Sequence, residues 1–376
     1  MLRLTGKFWN KALVMLRTGF ILSRNADVVW FLLLPYFALA AALACQEWLP
    51  AVAVASVALW ITIPHHFATW LRAYGIAEDR QRWKGRLILG PIVIFGMALI
   101  GLRWAPITVL ILAILWDKQH ALMQQHGFAR IYDFKARTGS PSSGRFDLIL
   151  NWVLFSNLFL TSPIFTPVWL RELYRLHFPL SAEGVRVIQQ ISWSVTLAYA
   201  LIYAGQLWWT VRQGDRLNPI KYLFLASSYF LWYYAAWHTA SVLVYAIAGQ
   251  IMHGCQYIVI SYWYTRNRTE RSGDLASWAA SLVRPAHLRL FLVACAFYAF
   301  VYQLLIGQSL EDFGFGALQL QEQYSAPIRY LAIHEMDSRA AYDLFAAALV
   351  EFTSLTHYYL DSFIWKVSDA RTREGL

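Results

Sequence analysis

Ionisable side chains interrupt the long apolar runs of this sequence, and five of them are histidines. Ionisable groups inside a bilayer are costly, so they usually mark a pathway, a proton relay or a cofactor site. Histidine is also the commonest metal ligand. The side chains concerned are His65, His66, Asp117, His120, His253, Glu351, His357 and Asp361. Their types predict a metal site embedded in the membrane.

Four of the histidines fall at one depth. His65, His120, His253 and His357 each lie 14 to 17 residues from the outer end of their own apolar run. At a rise of about 1.5 Å per residue, that places them roughly 21–26 Å below the outer boundary, in the cytoplasmic third of the bilayer. A common depth is required for a shared site, although it does not by itself bring the rings to one point.

Carboxylates accompany two of these histidines on their own helices. Asp117 precedes His120 by three residues, and Asp361 follows His357 by four, so each pair shares a helix face. A histidine that binds a metal usually donates its other ring N–H to a carboxylate or a carbonyl, and either aspartate could also bind the metal directly. The predicted metal ligands are therefore His65, His66, Asp117, His120, His253, His357 and Asp361.

Further residues are predicted to serve around this site. Glu351 lies nearer the membrane centre and Tyr257 one turn after His253, and both are predicted to be catalytic. Arg72, Arg130 and Lys366, near the inner boundary, are predicted to hold a lipid head group or an acidic substrate, or to snorkel. His126 and His238 are reserve ligand candidates. The competing interpretation is that single histidines only hydrogen-bond between helices.

The composition indicates which elements position these residues. Of 376 residues, 58% are hydrophobic and 14% are charged, whereas soluble domains carry about 25% charged residues. The net charge of +10 comes mainly from basic residues in short loops, which is the positive-inside pattern and not a nucleic-acid surface. We therefore predict an all-α, polytopic integral membrane bundle in a bacterial inner (cytoplasmic) membrane, with both termini cytoplasmic.

The predicted organisation is one transmembrane domain with short flanking segments. Residues 1–27 are expected to form an amphipathic interfacial helix, residues 28–366 the transmembrane domain, and residues 367–376 a cytoplasmic tail. Ten spans of about 20 residues are expected, at 28–47, 50–74, 87–103, 105–127, 146–170, 186–211, 220–237, 239–265, 286–308 and 340–365. The break inside the run from 219 to 266 is placed at Trp237–His238, with Gly249 as the alternative. The sequence TGSPSSG at 138–144 is predicted to be a flexible linker.

The ligand types favour one class of chemistry. Imidazoles and carboxylates without thiolates suit iron, copper, manganese or zinc. Aromatic walls and a membrane setting favour a non-haem iron oxygenase with one or, more in keeping with so many ligands, two ions. Its expected partners are membrane lipid, O₂, a separate electron-donor protein and an apolar or amphipathic substrate, such as a fatty chain or an isoprenoid. Nucleic acid is not an expected partner.

The dispersed histidines are similar in kind to those of membrane histidine-rich oxygenases, including the bacterial carotene-cleaving oxygenases. The HxxHH boxes of fatty-acid desaturases and alkane hydroxylases are absent, because the only HH pair is His65–His66. No motif matches residue by residue, so no family is assigned. Three alternatives stay open: a haem b electron-transfer protein, a proton-coupled transporter, and a hydrolase or lipid-group transferase that uses zinc or a histidine base.

Overall fold

The computed structural model describes residues 16–273, 277–306 and 338–376, and every regular element in those ranges is a helix. The first seven helices are α1 (Arg24–Trp48), α2 (Ala51–Tyr74), α3 (Ala77–Arg82), α4 (Lys84–Trp104), α5 (Pro106–Ala136), α6 (Pro141–Thr161) and α7 (Thr166–Arg175). The others are α8 (Ala182–Arg212), α9 (Pro219–His238), α10 (Val242–Ser272), α11 (Trp278–Val283), α12 (Leu288–Ile306), α13 (Ser338–Ile364) and α14 (Ala370–Gly375). The prediction of an all-α chain is confirmed for the described residues.

Several of these helices have the length and composition of membrane spans. Five qualify within the described residues, and a sixth does if the bent pair of α6 and α7 counts as one span. The five are Arg24–Trp48, Lys84–Trp104, Ala182–Arg212, Val242–Ser272 and Pro285–Tyr302. The chain is thus a helical protein with five to six candidate spans, in keeping with a membrane protein.

Two breaks in the helices have clear local causes. The long apolar run after residue 219 divides between His238 and Val242, as predicted, while Gly249 lies inside α10. The predicted span 146–170 is broken, because α6 and α7 meet at 74°. Pro163 and Pro167 lie at this bend, and proline is compatible with a helix start but not with an unbroken interior.

The predicted amphipathic helix at 1–27 falls mostly outside the described residues. In its described part, residues 16–23 are not helical, and the Arg17 N–H donates to the carbonyl of Leu217 at 2.9 Å. Helix α1 begins only at Arg24, where the Ser23 hydroxyl caps it by accepting from the Ala26 N–H. The prediction of a helix is therefore wrong for residues 16–23.

The helices form two compact units. The first contains residues 16–37 and 121–242, in which α6 packs on α8 and the start of α1 packs on α9. Its TGSPSSG segment is not the predicted flexible linker. Gly139 has a φ of +78°, and Ser140 and Ser143 form a capping box that starts α6.

The second unit contains residues 38–120 and the described residues from 243 to the end. Within it, α13 packs against α4, α2 and α12, and small residues such as Ala98, Ala299 and Ala348 line the contact. Small side chains let helix backbones approach closely. This close packing brings the polar faces of α2 and α13 together.

Candidate metal centre

Four helices of the second unit each contribute one buried histidine to a single cluster. His65 comes from α2, His120 from α5, His253 from α10 and His357 from α13. Their exposed fractions are 1%, 7%, 2% and 1%, so the rings are out of contact with the surface. The four histidines predicted to lie at one depth are thus brought to one place.

The ring of His357 approaches two of the other histidines. His357 places its Nε2 atom 3.2 Å from Nε2 of His65 and 3.1 Å from Nε2 of His120. A ring nitrogen has one lone pair or one proton, so it makes one good hydrogen bond and not two. A cation beside His357 would instead share the Nε2 lone pair of this ring with those of neighbouring ligand atoms.

The spacing of these nitrogens also fits a bound transition metal. With metal–nitrogen bonds of about 2.0–2.1 Å and angles between ligands of roughly 90–110°, two ligand nitrogens lie about 2.8–3.4 Å apart. The observed separations of 3.1 and 3.2 Å fall in that interval. The donors therefore fit one metal ion held by either of two sets of ligand atoms that share His357.

Two more groups lie within reach of the same centre. His253 has its ring centroid 4.9 Å from that of His65 and 5.1 Å from that of His120. Asp361 has Oδ2 3.6 Å from Nε2 of His120. Two triads of ligand atoms, each within 4.8 Å of one another, result: His65–His253–His357 and His120–His357–Asp361.

A hydrogen-bonded shell surrounds these groups. The Thr69 hydroxyl lies 2.6 Å from Nδ1 of His357, the ring nitrogen that does not face His65 and His120. Tyr257 donates its hydroxyl to Oδ1 of Asp361 at 2.6 Å and accepts from the indole N–H of Trp365 at 3.1 Å. Thr69 and Trp365 were missed by the sequence analysis. The available signal was that Thr69 follows His65 by four residues and so lies on the same helix face.

Three predicted site residues lie at the edge of this cluster and belong to neither triad. His66 is buried, with its ring 4.6 Å from His65 and 5.1 Å from His357. Asp117 accepts from Lys118 and from the Tyr358 hydroxyl, the latter at 2.8 Å. Glu351 is buried six residues before His357.

Asp117 therefore reaches His120 only through an intermediate side chain. Tyr358, which donates to Asp117, stacks on the His120 ring with the ring centroids 4.4 Å apart. Asp117 was predicted to be a metal ligand, but the structure engages its carboxylate with a tyrosine and a lysine instead. A shared helix face was not enough to aim the carboxylate at the metal position.

The remaining predicted residues belong to neither triad of ligand atoms. Arg72 is fully buried and donates to Asp79 at 2.6 Å and to the carbonyl of Ile364 at 3.0 Å, and its role in binding a head group stays a prediction. Lys366 is exposed after the end of α13. His126, His238 and Arg130 belong to the first unit.

No model of a known protein family matches the chain, and no curated protein or solved structure shows significant similarity to it.

Proposed function

We propose that the protein is a membrane-embedded histidine metalloenzyme, most specifically a non-haem iron oxygenase that acts on a lipid or isoprenoid. The observation that carries this proposal is the position of His357 Nε2, 3.2 Å from Nε2 of His65 and 3.1 Å from Nε2 of His120, in a buried cluster that contains two triads of ligand atoms. The donor set of imidazoles and one carboxylate, without thiolates, suits iron among the redox-active metals.

The geometry favours one ion over the two expected from the number of candidate ligands. Both triads contain His357, and the Nδ1 atom of that ring already faces Thr69. Only Nε2 of His357 is left to bind a metal, and one lone pair serves one ion. A single iron held by His357 and the other two members of one triad, His65 and His253 or His120 and Asp361, uses that lone pair once.

The same distances weigh against a haem. Two histidines that bind one haem iron stand on opposite sides of the porphyrin, with their nitrogens about 4 Å apart and the macrocycle between them. His357 has two histidine nitrogens within 3.2 Å, which leaves no room for such a plane. A haem b electron carrier is therefore the weaker candidate.

The side chains of the protein would bind the metal, shield it from water and hold a proton beside Asp361. Iron supplies the activation of O₂ when it is bound. Tyr257, Tyr358 and Trp365 surround the histidines with aromatic rings, which exclude water and accept an apolar chain. The Tyr257 hydroxyl holds its proton against Oδ1 of Asp361 at 2.6 Å, which keeps Oδ2 turned towards His120 and His357.

The proposed enzyme lies in a membrane and takes its substrate from lipid. Ten spans with both termini cytoplasmic would place each basic loop on the inner side. A reporter fused after Arg268 should then read cytoplasmic, and a periplasmic signal would refute this topology. Electrons would come from a separate donor protein.

Metal content and oxygen incorporation test the function together. Protein purified in mild detergent without O₂ should contain about one iron per chain and show no Soret band. Membranes that carry the protein, exposed to isotopically heavy dioxygen, should incorporate the label into a lipid fraction, whereas the His357→Ala variant should not. A Soret band would favour the haem alternative. Zinc with no label would favour hydrolysis or group transfer, and no metal would favour a proton-relay transporter.

A further inference from the structure

Thr69 uses its hydroxyl in an unusual way for a threonine inside a helix. Such a hydroxyl commonly bonds to the carbonyl four residues earlier in its own helix. Thr62, also in α2, does so by donating to the carbonyl of Ala58 at 2.7 Å. Thr69 instead places its hydroxyl 2.6 Å from Nδ1 of His357, a residue of α13.

This contact determines which nitrogen of His357 carries the proton. A neutral imidazole has one N–H and one lone pair, so the group that Nδ1 meets decides what Nε2 can do. If Nδ1–H donates to the threonine oxygen, Nε2 presents its lone pair to the cluster. If the hydroxyl donates to Nδ1, Nε2 carries the proton and cannot bind a metal.

The surroundings favour the first arrangement. Nε2 of His357 faces Nε2 of His65 and of His120, and it cannot form a good hydrogen bond to both, which favours a lone pair shared with a cation. A hydroxyl oxygen has two acceptor lone pairs and its O–H rotates, so the Thr69 oxygen can accept from Nδ1 of His357.

We propose that Thr69 is a positioning residue of the metal centre: it accepts the Nδ1 proton of His357 and so keeps the Nε2 lone pair directed at the metal position. This inference rests on the proposed function, because it presumes that the cluster binds a metal. It adds a residue that ties α2, the helix of His65, to the ligand of α13. Thr69 is fully buried, so water cannot replace its hydroxyl.

Cobalt(II) binding tests this role without any need for the substrate. The metal-free protein in detergent is titrated with Co²⁺, and its visible ligand-field bands report affinity and geometry. Thr69→Val keeps the shape and removes the hydroxyl, so it should weaken Co²⁺ binding about 10–100-fold and shift the bands. Thr69→Ser restores the hydroxyl and should return both readouts towards those of the wild type. Thr62→Val is the matched control, since it removes a hydroxyl from the same helix and should change neither.

The outcomes separate this inference from the proposed function. If the wild type binds no Co²⁺, zinc or iron, the metal centre itself is refuted. If the wild type binds Co²⁺ and Thr69→Val binds it equally tightly with the same bands, only the positioning role is refuted. Should Thr69→Val fail to fold, Thr69→Ala against Thr69→Ser gives the same comparison, and equal Co²⁺ affinity in those two variants would overturn the role.

Discussion

The Nε2 atoms of His120 and His357 lie 3.1 Å apart, although 237 positions separate the two residues in the sequence. One neutral imidazole can donate to the other, but Nε2 of His357 makes a second such approach to His65 and cannot satisfy both. Both rings are buried. Burial of polar groups without a compensating partner costs free energy, and a bound cation offsets that cost for both rings.

Substitution of His357 should abolish metal binding by the histidine cluster. Because this ring belongs to both ligand triads, His357→Ala is expected to abolish metal retention, and His120→Ala should reduce it strongly. His238→Ala is the control, since His238 is exposed at the end of α9 in the other unit. Metal analysis of the purified variants gives the answer, and full metal content in both His357→Ala and His120→Ala would contradict the ligand set.

The absence of a side chain at Gly254 leaves room for the imidazole ring of His65. A methyl group at this position would approach Nδ1 of His65 to 3.3 Å, closer than most side chains allow. Gly254→Ala should therefore push the His65 ring out of line and lower metal affinity several-fold while the protein stays folded. Gly96→Ala, in α4, meets nothing within 4 Å and should leave the affinity unchanged. Equal metal affinities for the two variants, measured by Co²⁺ titration, would show that His65 needs no such space.

The helices could be predicted from the sequence because long apolar runs and prolines determine the structure of the segments in which they occur. The break before Val242 was predictable from such signals, and the cluster of four histidines was foreseen from their common depth. A helical spacing fixes which face a residue lies on, but not the neighbour that it meets there. For that reason Asp117 was assigned to the metal when it contacts Tyr358.

Thr69 and Arg72 illustrate the other limit of sequence reasoning. A single threonine carries no signal of its own, and only the approach of α13 gives its hydroxyl a histidine to contact. Arg72 was assigned to a head group because arginines near the inner boundary often snorkel. Asp79, seven residues later, pairs with it after the chain turns into α3, a contact that depends on tertiary structure.

Acid should loosen the C-terminal helix α14. The Arg82 guanidinium, together with the Arg371 N–H, holds the pKa of Asp369 below its usual range, and the Asp369 side chain caps α14. A carboxyl with a lowered folded-state pKa stabilises the fold above its unfolded pKa of about 3.9, and this contribution is lost as the pH falls through the folded-state value. Protection of the α14 amides from hydrogen exchange should thus exceed that in Asp369→Asn by up to about five-fold near neutral pH, because asparagine keeps the cap but loses the ion pair with Arg82, and an exposed pair contributes at most about 1 kcal/mol. The two proteins should converge well below pH 4, and a constant ratio across that range would contradict the assignment.

The first unit contains a buried ion network that the metal centre does not use. Lys221 is 1% exposed, and its ammonium lies 2.8 Å from Asp133 and 2.6 Å from Asp147. Arg130 also pairs with Asp133, at 2.8 Å, and Tyr203 donates to Asp147 at 2.7 Å. Two cations and two carboxylates thus balance one another.

Loss of the lysine should destabilise the first unit strongly. Lys221→Met leaves Asp133 and Asp147 close together with only one cation nearby, and removal of one partner from a buried pair costs about 3–5 kcal/mol. Neutralising Asp147 as well, in Lys221→Met/Asp147→Asn, should recover part of that loss because it restores the charge balance. Arg186→Ala breaks an exposed pair with Glu183 and should cost less than about 1 kcal/mol. Thermal unfolding in detergent measures all three variants, and a Lys221→Met protein as stable as Arg186→Ala would mean that water reaches the network.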